Sequence, residues 1–278
     1  MRRLETRASS REWTSPAKVV DHRKAGCWGG CAPHPCPAFA AVGRYLLARH
    51  VFVCLSGEQA ILLDLHRDQY LALSDESSRL LGHAVVDWPI VPTGPVSTQQ
   101  EVDAAVGELA ARGLITLDPL RGKPAGTIEY SQPTGTLIPP AQLFADSHGQ
   151  QASSRASRLA RIAIAAVQAR LWLRLRSIEW IVNNLSRTDV RPPLDESAAR
   201  KHVALFYAAR PFLFSSRNAC LFDSLALLLF LRQLGVYPHW IFAVRTGPFA
   251  AHCWLQSGHI VLNDTVDNVR SYTPIMSV

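Results

Sequence analysis

The sequence predicts an α+β chain of two domains, and three observations carry that expectation. Short apolar runs separated by tight turns occupy residues 46–73 and again 239–264, the spacing of antiparallel sheet. Helical patterns with recognisable starts and stops follow the first set of strands and precede the second. Between the halves, residues 118–157 gather Pro119, Pro124, Pro133, Pro139 and Pro140 with several glycines, then a Ser/Gln/Ala run, the composition of a linker.

Composition narrows the classes further. Apolar residues make up 48% of the 278, enough for a substantial core. The net charge of +7 is spread along the chain and permits nucleic acid or an acidic peptide as partner. No zinc-finger spacing, phosphate-binding glycine loop or aromatic RNA-binding motif accompanies it, so nucleic acid is not the expected partner. The first thirty residues are charged and contain tryptophan, with no apolar stretch of the secretory kind. No run of about eighteen apolar residues occurs, so stable membrane insertion is not expected. The expected location is the cytoplasm with reduced thiols, although the six cysteines are even in number.

Residues 1–45 are basic and rich in Pro, Gly and Cys, and read as a disordered extension. Cys27, Cys31, His34 and Cys36 fit no familiar zinc knuckle and lack a second ligand pair, so no metal is expected. Residues 46–117 read as a small domain. Strands cover Val51 to Leu55, Ala60 to Leu65 and Gln69 to Leu73, joined by Ser56-Gly57-Glu58 and His66-Arg67-Asp68. Ser74 caps a helix that begins Asp75-Glu76 and turns Leu80 and Leu81 inward. Thr98-x-x-Glu101 is a capping box for a second helix carrying Val102, Val106 and Leu109, which stops at Gly113 before a short strand over Leu114 to Leu117. His66 and His83 stand alone and read as surface histidines.

That order of elements, and above all Leu63-Asp64-Leu65 followed by Tyr70-Leu71-Ala72-Leu73-Ser74, resembles the peptide-recognition element of peptide natural-product pathways, a winged-helix-like domain. The resemblance implies a leader peptide paired with the edge of the third strand by β-augmentation and lying against the last helix. Carried over, the leader-binding residues are Gln69, Tyr70, Leu71 and Leu73, facing Val102, Val106 and Leu109.

Beyond the linker, residues 158–185 read as one long helix with a stripe of Ile162, Val167, Leu171, Leu175, Ile178 and Ile181. Its arginines (Arg155, Arg158, Arg161, Arg170, Arg174, Arg176) suit a solvated face or a docking face. Arg191-Pro192-Pro193 breaks the chain, and a helix over about 196–209 leads to a loop ending at Cys220. A buried helix follows and stops at Gly235. A cysteine in the first helical turn sits at the positive end of the macrodipole, where its thiolate is favoured. The strands after Tyr237 then carry His252 and Asp264 on either side of a Ser257-Gly258 turn, so they can lie side by side. A nucleophilic cysteine, a histidine base and an orienting carboxylate in that order point to covalent acyl chemistry. His259 and Asp267 are the competing base and acid, but His259 lies too near the turn to face the helix start. Cys253 reads as a buried structural cysteine, because adjacent strand residues point to opposite faces.

Cys220-Leu-Phe-Asp-Ser-Leu-Ala-Leu, then Gly247-Pro-Phe-Ala-Ala-His252-Cys-Trp and the Asn263-Asp264 pair, resemble the lasso-peptide maturation protease, the B protein of those clusters. The resemblance implies a papain/transglutaminase-like cysteine peptidase domain over 158–278 with Cys220, His252 and Asp264 as its triad. It also implies a precursor leader peptide as substrate and an asparagine-synthetase-like lasso cyclase as partner. That cyclase would use ATP, and no cofactor would belong to this chain. Many relatives carry a small residue other than cysteine after the histidine, so Cys253 departs from the pattern. A noncatalytic leader-binding scaffold and a transglutaminase-like acyl transferase are the alternative functions.

Overall fold

The computed structural model describes residues 18–20, 45–90, 98–126, 128, 130–137, 152–186, 195–213 and 220–278. The Cys27–His34–Cys36 group lies outside them. The fold is α+β, and the chain divides into two compact units, one over 16–127 and one containing 128–278.

The first unit begins with β1 (Lys18–Val20) and β2 (Leu46–Ala48). β3 (Val51–Ser56), β4 (Gln59–Asp64) and β5 (Gln69–Leu73) then form the expected antiparallel meander. Its register is fixed by an alternation that sends Val53, Leu62 and Leu71 into one core. Gly57 makes the first turn with positive φ. The second turn is built on Asp64, buried at 1% exposure, whose Oδ1 accepts from the His66 and Arg67 amides at 2.9 and 3.3 Å. Arg67 Nη1 bonds Asp64 Oδ2 at 3.0 Å and also the Arg112 carbonyl at 2.9 Å, tying this turn to the second helix. The conspicuous Leu-Asp-Leu motif is therefore a turn device as well as a strand end.

α1 (Asp75–Gly82) starts where Ser74 Oγ accepts from Ser77 N at 3.2 Å. α2 (Gln99–Ala111) starts where Glu101 accepts from the Thr98 amide at 3.0 Å. Gly113, at φ +71°, lets the chain leave α2 into β6 (Ile115–Thr116), which pairs with β2. β7 (Gly122–Lys123) pairs with the other side of β2. Gly122 is required there, since a Cβ would lie 2.5 Å from Leu46 Cβ.

Two expectations change in this unit. Lys18–Val20, expected within an irregular extension, pairs in parallel with β5 as Lys18↔Leu71, Val19↔Ala72 and Val20↔Leu73. The remainder of residues 1–44 lies outside the described residues. Leu71, Leu73, Val102, Val106 and Leu109 do not line an open groove: all five are buried in one core cluster. Packing won because a unit this small, with seven short strands and two helices among its described residues, needs every apolar face it has. The outer backbone edge of β5 carries β1, and Gln69 and Tyr70 are half-buried.

The second unit contributes β8 (Gly135–Thr136), α3 (Ala152–Leu175), α4 (Ile178–Leu185), α5 (Glu196–Leu213) and α6 (Cys220–Arg232). Then come β9 (His239–Thr246), β10 (Phe249–Ser257), β11 (Ile260–Val261), α7 (Val266–Val269) and β12 (Thr273–Ser277). The sheet order is β12-β9-β10-β11-β8. Residues 118–157, expected as irregular linker, thus supply two short strands and the start of α3. The amides of Thr134 and Leu137 bond His259 and Val261 carbonyls, which is how a proline-rich segment satisfies its backbone.

The predicted long helix is two helices. Ser177 breaks it by capping α4, its Oγ accepting from Trp180 N at 3.2 Å. The inward face of α3 is Ile162, Ala165, Ala166 and Ala169, small residues that admit α6 closely, while Val167, Leu171 and Leu175 are exposed. α6 itself is largely apolar and buried from Ser224 to Leu231. It lies between α3 and the sheet, packing on β10. Gly235, at φ +78°, ends the turn after it, and the Val236 amide returns to Leu231 O at 3.0 Å. Among the described residues no helix is long and apolar enough to cross a membrane.

Candidate active site

Three elements bring the predicted residues together. Cys220 is the first residue of α6 and is only part-exposed. Its helix cannot slide, because Trp240 Nε1 from β9 donates to Ser224 Oγ at 2.9 Å and Ser224 Oγ donates to the Cys220 carbonyl at 2.6 Å. His252 lies on β10, opposite Ala243 of β9. Its ring stacks with Trp254 at 5.9 Å and packs against Tyr272 at 5.1 Å, which fixes its plane.

Asp264 does not lie on a strand, as the sequence suggested. β11 ends at Val261, and the Asn263 side chain takes over its role, accepting from the Leu255 amide at 2.7 Å. The chain then turns into α7, which Thr265 caps. Two bonds pin the turn: Tyr207 donates to Asn263 O at 3.0 Å and Thr136 to Asp264 O at 2.6 Å. Asp264 Oδ2 accepts from His252 Nε2 in a short bond, and its Oδ1 accepts from the Thr265 amide at 2.7 Å. Asn268 Nδ2 reaches both oxygens, at 3.1 and 2.9 Å. His259 instead bonds Gln132 O at 2.9 Å beside the turn, and Asp267 is exposed in α7.

With Nε2 held by Asp264, the other ring nitrogen of His252 is left for Cys220, to which His252 hydrogen-bonds. The electrostatics follow from these contacts. The Cys220 thiol is lowered to about 4: a hydrogen bond from Cys253 favours the thiolate most, and His252 adds a bond and a charge against the opposing effect of burial. Burial pulls His252 down, but its bonds to Asp264 and Cys220 lift it to about 9. Burial would raise Asp264, yet His252, the Thr265 amide and Asn268 hold it below the usual carboxylate range. At neutral pH the site is therefore a thiolate–imidazolium pair backed by a carboxylate. Asp223, three residues along α6 from Cys220, is joined to Arg210 of α5 in a short ion pair.

Sequence reasoning missed Asn268, Tyr272, Ser224 and Trp240. Asn268, four residues after Asp264, was the detectable one, since a side-chain amide at that spacing can brace a carboxylate just ahead of a helix cap. Cys253 is buried, as expected, with its Sγ 3.3 Å from Ser224 Oγ of α6.

Residues 149–277 match the model of the transglutaminase-like superfamily. The match spans Cys220, His252 and Asp264 together with the sheet and helices that hold them. No curated protein and no solved structure matches the chain. A transglutaminase-like domain fits a cysteine peptidase or an acyl transferase, both of which need an activated thiol. Among the described residues no three His, Cys, Asp or Glu side chains are placed to hold a metal ion.

Proposed function

We propose that the chain is a cysteine endopeptidase that binds the leader of a ribosomally made lasso-peptide precursor and cuts it from the core. The observation that carries the chemistry is the hydrogen-bonded run Cys220–His252–Asp264, with the thiol favoured as thiolate at a helix start. In this reading Cys220 Sγ attacks the scissile carbonyl, and the developing oxyanion takes the Cys220 amide as donor, an interaction worth roughly 3 kcal/mol. His252 gives its proton to the leaving amine. Water then attacks the thioester, returning the proton to His252 and releasing the leader. Asp264 keeps the imidazole in the one tautomer that serves both steps.

Leader binding is assigned to the winged-helix-like unit, at the outer edge of β5. The support is twofold: the resemblance of residues 46–117, and the addition of an extended segment, Lys18–Val20, to the edge of β5, the kind of pairing a leader would make in its place. The freed core amine would pass to an ATP-using cyclase partner, in the cytoplasm.

The test is mass spectrometry of a cognate precursor incubated with wild type and with Cys220→Ala, with and without cyclase and ATP. Cleavage by wild type and none by the variant is expected. Equal cleavage by the variant, or binding without cleavage under every condition, refutes the peptidase and leaves a leader-binding scaffold. Product carrying an added amine in place of water makes it an acyl transferase.

A further inference from the structure

α3 carries two apolar faces, and only one of them is packed. At ~100° per residue, Ile162, Ala165, Ala166 and Ala169 fall within one arc, and all four are buried. Ile164, Val167, Leu171 and Leu175 fall within a second arc of roughly 80° on the opposite side. They are between 49% and 69% exposed and make a row about 16 Å long. Single exposed leucines are ordinary, whereas a continuous apolar row rimmed by polar residues marks an interaction surface. The rims here are cationic. Arg170 and Arg174 follow one side, and both are exposed. Arg161, whose Nη1 donates to Gln233 O at 3.1 Å, follows the other. Residues 152–178 hold six arginines and no Asp or Glu. The first turn of α3 has no acid, although the helix macrodipole favours one there. The charge of this helix is thus matched to an anion outside it rather than to the helix itself.

We propose that the outer face of α3 binds the surface of an anionic lipid bilayer, lying along it rather than crossing it. The apolar row enters the boundary between headgroups and acyl chains. The arginine stems on either side carry their guanidinium groups up to the phosphates. Just beyond α3, the exposed Trp180 packs edge-on against Trp172 at 5.3 Å, with the Arg176 guanidinium 4.9 Å over its ring. Tryptophan and arginine together suit headgroup depth, where one end of a side chain is apolar and the other wet. A second copy of this chain is a poor occupant, because the same face would set arginine against arginine with no acid to offset them. A convex row on a single helix offers a partner protein no pocket for an anchor, whereas lipid moulds to it along its whole length. The net charge of +7 acts in the same direction. The face is separate from Cys220, His252 and Asp264, so the inference does not rest on the peptidase reading.

The test is co-sedimentation of the full chain with vesicles of phosphatidylcholine alone and of phosphatidylcholine and phosphatidylglycerol in equal parts. Wild type is compared with three double variants: Ile164→Ser with Leu171→Ser, Arg170→Gln with Arg174→Gln, and Arg79→Gln with Arg121→Gln. The third pair removes the same charge from exposed positions of the other unit. Thermal melting and iodoacetamide labelling of Cys220 check that each variant is folded. Wild type should sediment with the mixed vesicles and not with phosphatidylcholine alone. The serine pair and the α3 glutamine pair should each weaken that partition roughly tenfold or more, and the remote pair less than about threefold. Binding that the serine pair leaves unchanged, or that the remote pair weakens as much as the α3 pair, is general charge attraction and overturns the inference. Equal binding to both kinds of vesicle overturns it as well. Wild type that stays in solution with both also overturns it, and the face then belongs to an acidic protein partner.

Discussion

Asp264→Asn is the substitution whose outcome the geometry constrains most closely. Oδ1 faces two donors, the Thr265 amide and Asn268 Nδ2, so the asparagine carbonyl must occupy that place. Its NH2 then takes the Oδ2 position and faces His252 Nε2 and Asn268 Nδ2, both of them donors today. His252 can only respond by accepting at Nε2, which moves its hydrogen to the nitrogen that faces Cys220. In that tautomer it cannot take the thiol proton. The gap between the His252 value of about 9 and its ordinary 6.5 is worth about 3 kcal/mol, and loss of most of it lowers the ion-pair population by roughly two orders of magnitude. The expected result is a fall in kcat/KM for precursor cleavage of roughly 100- to 1,000-fold, with Cys220 labelling at neutral pH falling in parallel. A variant that melts like wild type yet cleaves within tenfold of it refutes the argument that Asp264 sets the tautomer.

The same contacts give the pH profile. The Cys220 thiolate is lost as pH falls toward about 4 and the His252 imidazolium as pH rises through about 9, so cleavage should be bell-shaped between those limits. An acid limb near the ordinary thiol range instead would mean that the thiolate is not held. Asp64→Ala should destabilise the first unit by about 3 kcal/mol, because it leaves the turn amides of His66 and Arg67 without their acceptor and empties a buried site. Urea unfolding of the full chain measures this, and a loss under about 1 kcal/mol contradicts it. Val19→Pro removes a donor from β1 and should free the β5 edge, tightening leader binding roughly threefold or more if the two compete. Fluorescence anisotropy with a labelled leader reads this, and unchanged affinity excludes competition at that edge.

The parts of the fold legible in the sequence were those written in local chemistry. The Ser74 cap, the Thr98–Glu101 box, the Gly113 and Gly235 stops and the strand periods of β3, β4, β5, β9 and β10 all depend on neighbours a few residues away. What was illegible depends on distant partners. The inward face of α3 is alanine rather than leucine because α6 has to approach closely, a requirement that hydrophobic counting along α3 cannot express. β1, β7 and β8 are two- or three-residue strands whose existence rests on an edge waiting elsewhere in the chain. Leu71 and Val106 read equally well as groove and as core, and only burial separates the two.

The placement of Asp264 and Cys253 shows why periodicity served the site less well than the fold. Alternation sorts side chains by the face of a sheet, and it holds here: His252 and Cys253 do leave β10 on opposite sides. It does not follow that one of them is irrelevant to a partner on the other side. Ser224, on the helix that begins at Cys220, meets Cys253 on the face opposite His252. Because the chain leaves β11 after two residues, Asp264 can swing off the sheet to meet His252 from outside. A longer β11 would have kept Asp264 in the ladder. The brevity of β11, after which the Asn263 side chain takes the Leu255 amide, is thus what sets the carboxylate beside the imidazole.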